Sequence, residues 1–167
     1  MFFFALAGCD MEGPKGAPPT LETGSAAPPF ALQLIGGGEA ALSGYKGKPL
    51  VITFMASWCP CSHESAPVFK AVYEEYREKG VQFLMIGMQD GRSKFEKFYK
   101  EKGFPYPAGF DEGDRIAALY GVSSPPTTFF IGRDGTVVSS FYGKIVEKER
   151  LTAWVEGIAG EAKEAQK

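Results

Sequence analysis

Residues 54–67 read FMASWCPCSHESAP, and this stretch decides how the rest of the chain is read. It opens at the end of an apolar run, LVITFM over 50–55, which predicts a buried strand. It then passes through Trp58, Cys59, Pro60, Cys61 and Ser62 into a segment carrying Val68, Phe69, Val72, Tyr73 and Tyr76 at three- and four-residue spacing. That spacing predicts a helix over 63–79, stopped by Gly80. A cysteine between a strand end and a helix start sits where free backbone N–H groups and the helix dipole favour an anion. Thiols in such places ionise below the ordinary value of about 8.5, in a range of roughly 3.5–7.5, and the thiolate is the reactive form. Cys59 is therefore a candidate redox-active nucleophile.

Downstream, VQFLMIGM over 81–88 is a near-continuous apolar run, as a strand buried on both faces requires. Ser93 with Glu96 three residues on predicts a capping box, opening a helix with Phe95, Phe98 and Tyr99 inward. Asp114 starts a further helix that Gly121 stops. TTFFIGRDGTVVSSFY reads as two strands joined around Asp134-Gly135, and residues 147–159 as a helix with Leu151, Trp154, Val155 and Ile158 on one face. Upstream, FALQLIGGGEAALSGYKGK from Phe30 gives two short segments about a Gly36-Gly37-Gly38 turn. Strand–helix alternation closed by a hairpin and a helix predicts an α/β domain with a central mixed sheet covered on both faces.

The Trp58-Cys59-Pro60-Cys61-Ser62 stretch after an apolar strand resembles the thioredoxin fold. More narrowly, it resembles the membrane-tethered TlpA/ResA-type (redoxin, AhpC/TSA-like) thiol–disulfide oxidoreductases, whose active site reads W-C-x-x-C. A second match supports it. Gly121-Val122-Ser123-Ser124-Pro125-Pro126-Thr127-Thr128-Phe129 is similar to the family's G-V-x-x-x-P-T-x-F segment. The resemblance runs from about Ala27 to Ile158. It implies a cis peptide before Pro126, packed with Thr127 against the cysteines, and an N-terminal hairpin before the first central strand. It also implies disulfide exchange through Cys59, with a second cysteine three residues on resolving the mixed disulfide.

Here the spacing departs from the family, because one residue alone separates Cys59 and Cys61. With a one-residue gap, Cys61 is the resolving cysteine of a shortened site, and Glu64 falls where many relatives carry a glutamate. Without a gap, Ser62 takes the resolving position and Pro67 falls on the family's helix proline. We favour the ungapped form, since a deletion inside a tight turn at a helix start is structurally costly. An unstrained disulfide needs converging Cβ vectors, and side chains at i and i+2 diverge in a helix or strand. A Cys59–Cys61 bond would thus be strained and easily reduced. Trp58, Pro60, Ser62 and Glu64 are the expected supports of the site, and His63, the one histidine, reads equally as a tuner of the nearby thiols or as an exposed first-turn residue. Thr53 stands where thioredoxin has a buried aspartate, so that proton route is absent.

With 167 residues, one domain is expected, and a net charge of −2 with no basic cluster gives no sign of a nucleic-acid partner. Three cysteines, two of them in the motif, exclude a disulfide framework. MFFFALAGCD resembles a bacterial lipobox, which implies a signal segment over 1–9, lipidation at Cys9 and a place on the outer, periplasmic side of the cell membrane. Residues 10–29, rich in proline and glycine, read as a disordered tether; the domain follows over 30–160, and 161–167 is a polar tail. No run approaches the roughly 20 apolar residues that span a bilayer. The expectation is a monomer without a cofactor, exchanging disulfides with protein thiols such as apocytochrome c or a membrane thiol reductant. Two other chemistries compete. Cys59, Cys61 and His63 offer soft ligands for Cu(I), although copper chaperones of this fold space theirs more widely. A thiol peroxidase would want threonine where Ala56 stands.

Overall fold

The computed structural model describes residues 21–160. A five-stranded mixed sheet forms its centre. The strands are β3 (Leu50–Met55), β4 (Gln82–Gly87), β5 (Ala108–Phe110), β6 (Thr127–Ile131) and β7 (Val137–Tyr142), in the order β5-β4-β3-β6-β7. β3, β4 and β5 run parallel, whereas β6 and β7 are antiparallel additions on the other side of β3. A separate hairpin of β1 (Ala31–Gln33) and β2 (Glu39–Ala41) precedes them. Its turn uses Gly36, Gly37 and Gly38, all at positive φ, a region that other residues enter only at a steric cost.

Alternation along each strand divides the interior in two. Val51, Met55, Phe83, Met85 and Phe130 face one side, where they meet α1 (Pro60–Tyr76), α2 (Arg92–Lys102) and α4 (Lys148–Gly160). Leu50, Ile52, Phe54, Leu84, Ile86, Phe129 and Ile131 face the other, under the hairpin and α3 (Arg115–Leu119). Every residue of β3 is buried, which is why LVITFM lacks a polar alternation.

The expected elements are present, with four differences. α1 starts at Pro60, earlier than 63, because a proline at the first helical position loses no hydrogen bond and arrives with helical φ. The Ser93–Glu96 capping box does not form. Gly91 is the residue before α2, without a side-chain cap, and both box residues lie inside the helix. β5 went unread in the sequence; it is a three-residue edge strand, too short for a period to show. The expected tether ends sooner. Gly24 N–H donates to Val137 O at 2.7 Å, Ala27 N–H to Gly135 O at 2.9 Å, and Ala26 bridges Thr136. Leu21 to Pro29 thus belong to the folded body, pinned beside the β6–β7 turn; Cys9, the rest of the tether and residues 161–167 lie outside the described residues.

Candidate active site

β3 ends at Met55, and the chain turns through Ala56, Ser57 and Trp58 before entering α1. Cys59 is the residue before the helix, in extended backbone geometry, and Ser62 N–H and His63 N–H both donate to its carbonyl, at 3.0 and 3.3 Å. The nucleophile candidate therefore stands at the positive end of a 17-residue helix. The residue is 7% exposed, and its thiol lies 3.6 Å from the Pro125 carbonyl, to which it donates. The Pro125–Pro126 peptide is cis, as expected from Gly121–Phe129. Thr127 Oγ1 donates to Ser124 O at 2.8 Å and closes the loop before the proline pair.

Ser62 is fully buried, and its hydroxyl accepts the Ala56 N–H at 3.3 Å, tying the first turn of α1 to the end of the strand. Cys61 is half-buried, and neither it nor Cys59 is disulfide-bonded. Ser65 Oγ donates to Cys61 O at 2.8 Å and accepts the Ile145 N–H at 3.1 Å. Gly143 N–H donates to Pro126 O at 2.9 Å. The 143–145 segment is thus fastened to the cis-proline loop on one side and to α1 on the other. Between those fastenings, Lys144 pairs with Glu64. The Glu64 carboxylate, and more weakly Cys61, push the Lys144 ammonium above its ordinary range.

Trp58 is 58% exposed, so it flanks the site rather than filling it. Its indole N–H donates to Gln89 O at 2.6 Å. His63 is neither free nor a ligand in waiting. Its Nε2 lies 2.7 Å from the Ser57 carbonyl and its ring 4.8 Å from that of Phe98. Among the described residues, no three Cys, His, Asp or Glu side chains converge where a metal ion would sit. The Cu(I) set of Cys59, Cys61 and His63 is therefore not assembled, because a histidine four residues into the helix is turned back to hold the loop. Thr53 is buried and accepts a hydrogen bond from Thr128 Oγ1 at 3.3 Å, in place of an ionisable group.

Several members of the site carried no signal in the sequence. Ser65, Gln89, Asp90 and Lys144 are ordinary polar residues, and each has a hydrogen-bond partner 31 or more positions away along the chain. Asp90 accepts Ser57 N–H, which fixes the turn before Trp58. The assembled site can bring a thiolate against an incoming disulfide, with a backbone carbonyl and a cis-proline loop on one side and an aromatic face on the other.

The AhpC/TSA family matches over residues 23–140. Thiol-disulfide oxidoreductase ResA of Bacillus anthracis is 32% identical over 139 residues, 83% of this chain and 79% of that protein. ResA of Geobacillus thermodenitrificans is 34% identical over 136 residues, 81% and 77% of the two chains. Among solved structures, a protein described as a thiol:disulfide interchange protein DsbE from Chlorobium tepidum superposes with a TM-score of 0.79. It is 30% identical and covers 84% of this chain and 100% of its own. With fold, cis-proline loop and strand–helix cysteine in agreement, the chain belongs to the AhpC/TSA family and is a thiol–disulfide oxidoreductase of the ResA/DsbE type.

Proposed function

We propose that Cys59 is the attacking thiol, that a thiol from outside the chain releases the substrate, and that the enzyme works tethered on the outer side of the bacterial cell membrane. In the first step the Cys59 thiolate attacks one sulfur of a protein disulfide. A Cys59–substrate disulfide forms and the other substrate sulfur leaves as a thiolate. In the second step an external thiolate such as glutathione attacks the substrate sulfur and releases Cys59. A further external thiol then completes reduction of the substrate, so that two external thiols are oxidised for each disulfide reduced.

One observation carries this reading. Ser62, three residues after Cys59, is the residue buried beneath the turn and bonded to Ala56 N–H, where a resolving thiol would be wanted. A hydroxyl there cannot displace a sulfur. Cys61 is half-buried on the side of Ser65, Glu64 and Lys144, and modifies the exchange rather than completing it. The outer-side placement rests on the Leu6-Ala7-Gly8-Cys9 lipobox resemblance and on protein thiols as substrates, apocytochrome c among them. No helix among the described residues is long and apolar enough to cross a membrane, and in this reading the anchor is a lipid on Cys9.

Kinetics of Cys61→Ala test the first claim. The variant is expected to retain most of its turnover when glutathione is supplied. Accumulation of a substrate adduct that glutathione fails to release would assign resolution to Cys61 instead. For the second claim, the full chain expressed in a bacterium is expected to partition into detergent, and Cys9→Ala to leave it in the aqueous phase.

A further inference from the structure

Gln89 follows β4 and is one of two non-glycine residues with positive φ among the described residues, at +47°. A side chain that enters this region does so at a cost, and such outliers persist where surrounding contacts over-determine them. Three contacts do so here. Gln89 N–H donates to Asp114 Oδ1 at 2.8 Å. Its carbonyl accepts the Trp58 indole N–H at 2.6 Å. Its side-chain Nε2 donates to Ser123 O at 2.9 Å. Asp114, the other such residue (φ +53°), spends its carboxylate on Gln89 instead of on the helix it precedes.

These three partners come from different segments. Trp58 belongs to the turn that presents Cys59; Ser123 opens the loop that carries cis-Pro126 and the Pro125 carbonyl against the Cys59 thiol. Asp114 anchors the arrangement to the body of the fold. Gln89 is itself exposed, and its hydrogen bonds go to Trp58, Asp114 and Ser123 and to neither thiol. It bridges the turn that carries Trp58 and the loop that carries Pro126.

We infer that Gln89 is a positioning residue that determines specificity for polypeptide disulfides. By fixing Trp58 and the Ser123–Pro126 loop relative to each other, it defines the groove that receives the chain flanking a substrate cysteine. A small disulfide needs access to Cys59 alone; a polypeptide must also lie between both walls. This inference rests on Cys59 being the attacking thiol.

The test compares wild type with Gln89→Met, which keeps length and removes the donor, and with Gln89→Glu, which sets a carboxylate against the Ser123 carbonyl. Each is assayed with insulin and with hydroxyethyl disulfide, both in glutathione. For Gln89→Met the KM for insulin is expected to rise roughly five- to tenfold, the scale of one neutral hydrogen bond, with kcat within about twofold. Gln89→Glu should raise it further. Reduction of hydroxyethyl disulfide should stay within about twofold for both. Trp58 emission should shift in both variants as the wall loosens. Equal losses on the two substrates, or an unchanged insulin KM in whichever variant folds, would overturn the inference. Cys59→Ser separates the premise: if it keeps activity on hydroxyethyl disulfide, the attacking thiol is misassigned whatever Gln89 does.

Discussion

Ser62→Cys is the sharpest residue-scale experiment this site offers. Residues three apart on a helix face the same side, so a thiol there would lie beneath Cys59 and be able to close on it. In a single turnover, release of the reduced substrate should then lose its dependence on glutathione and leave the enzyme with an internal disulfide, readable by mass spectrometry, which an external thiol must reduce before the next cycle. Persistent dependence on glutathione would mean that the buried position is closed to the exchange geometry. Cys59→Ser should abolish reduction of any disulfide substrate, in contrast to the mild effect expected of Cys61→Ala. Glu64 and Lys144 are both exposed, and surface pairs of this kind contribute little to stability because water and salt screen them. Glu64→Gln is therefore expected to leave the melting temperature unchanged, and any effect it has should appear in the rate of Cys61 alkylation.

At the level of elements, the site depends on how α1 and the hairpin are held. Ser65 joins α1 to residue 145 with a buried hydroxyl that makes two hydrogen bonds. Ser65→Ala leaves the Ile145 N–H without its partner, at a cost of about 1–3 kcal/mol, measurable by denaturant unfolding. The edge strand β5 has a tighter requirement. A Cβ on Gly109 would overlap the Gln33 carbonyl and the Leu32 side chain, which belong to β1. Backbone cannot move aside as a flexible side chain can, so Gly109→Ala should destabilise the fold by roughly 1–3 kcal/mol. A melting temperature equal to that of wild type would show that the hairpin is free to shift away from the sheet.

For the whole molecule, burial of tyrosines sets the alkaline limit. Burial and the hydrogen bond to Glu156 raise the Tyr76 hydroxyl to about 12, and burial pushes Tyr106 and Tyr120 upward as well. A folded-state value above the unfolded value of about 10 means that the neutral form is favoured by folding. The contribution is complete below about pH 10 and is lost as pH rises from there through about 12. Denaturation midpoints should thus hold steady up to about pH 9 and fall beyond about pH 10. Tyr76→Phe should weaken that fall, and a midpoint independent of pH across this window would contradict the assignment.

What the sequence determined by itself was the part carried by local rules. Apolar runs placed β3, β4 and β6; Asp134-Gly135 placed the hairpin turn; and a cysteine after a strand, with Pro126 far downstream, marked the candidate site. Each of these is written in neighbours along the chain, where period and turn chemistry are legible. The tertiary structure alone decided which side each cysteine takes, that His63 holds the Ser57 carbonyl instead of a metal, and that Gly24 to Ala27 are tied to the β6–β7 turn. It alone brought Gln89 between Trp58 and Ser123. The physical reason is that none of these bonds follows a repeat: Trp58 and Ser123 lie 31 and 34 residues from Gln89, and the nearer His63–Ser57 bond depends on how the strand-to-helix turn folds back, so neither leaves a period in the sequence.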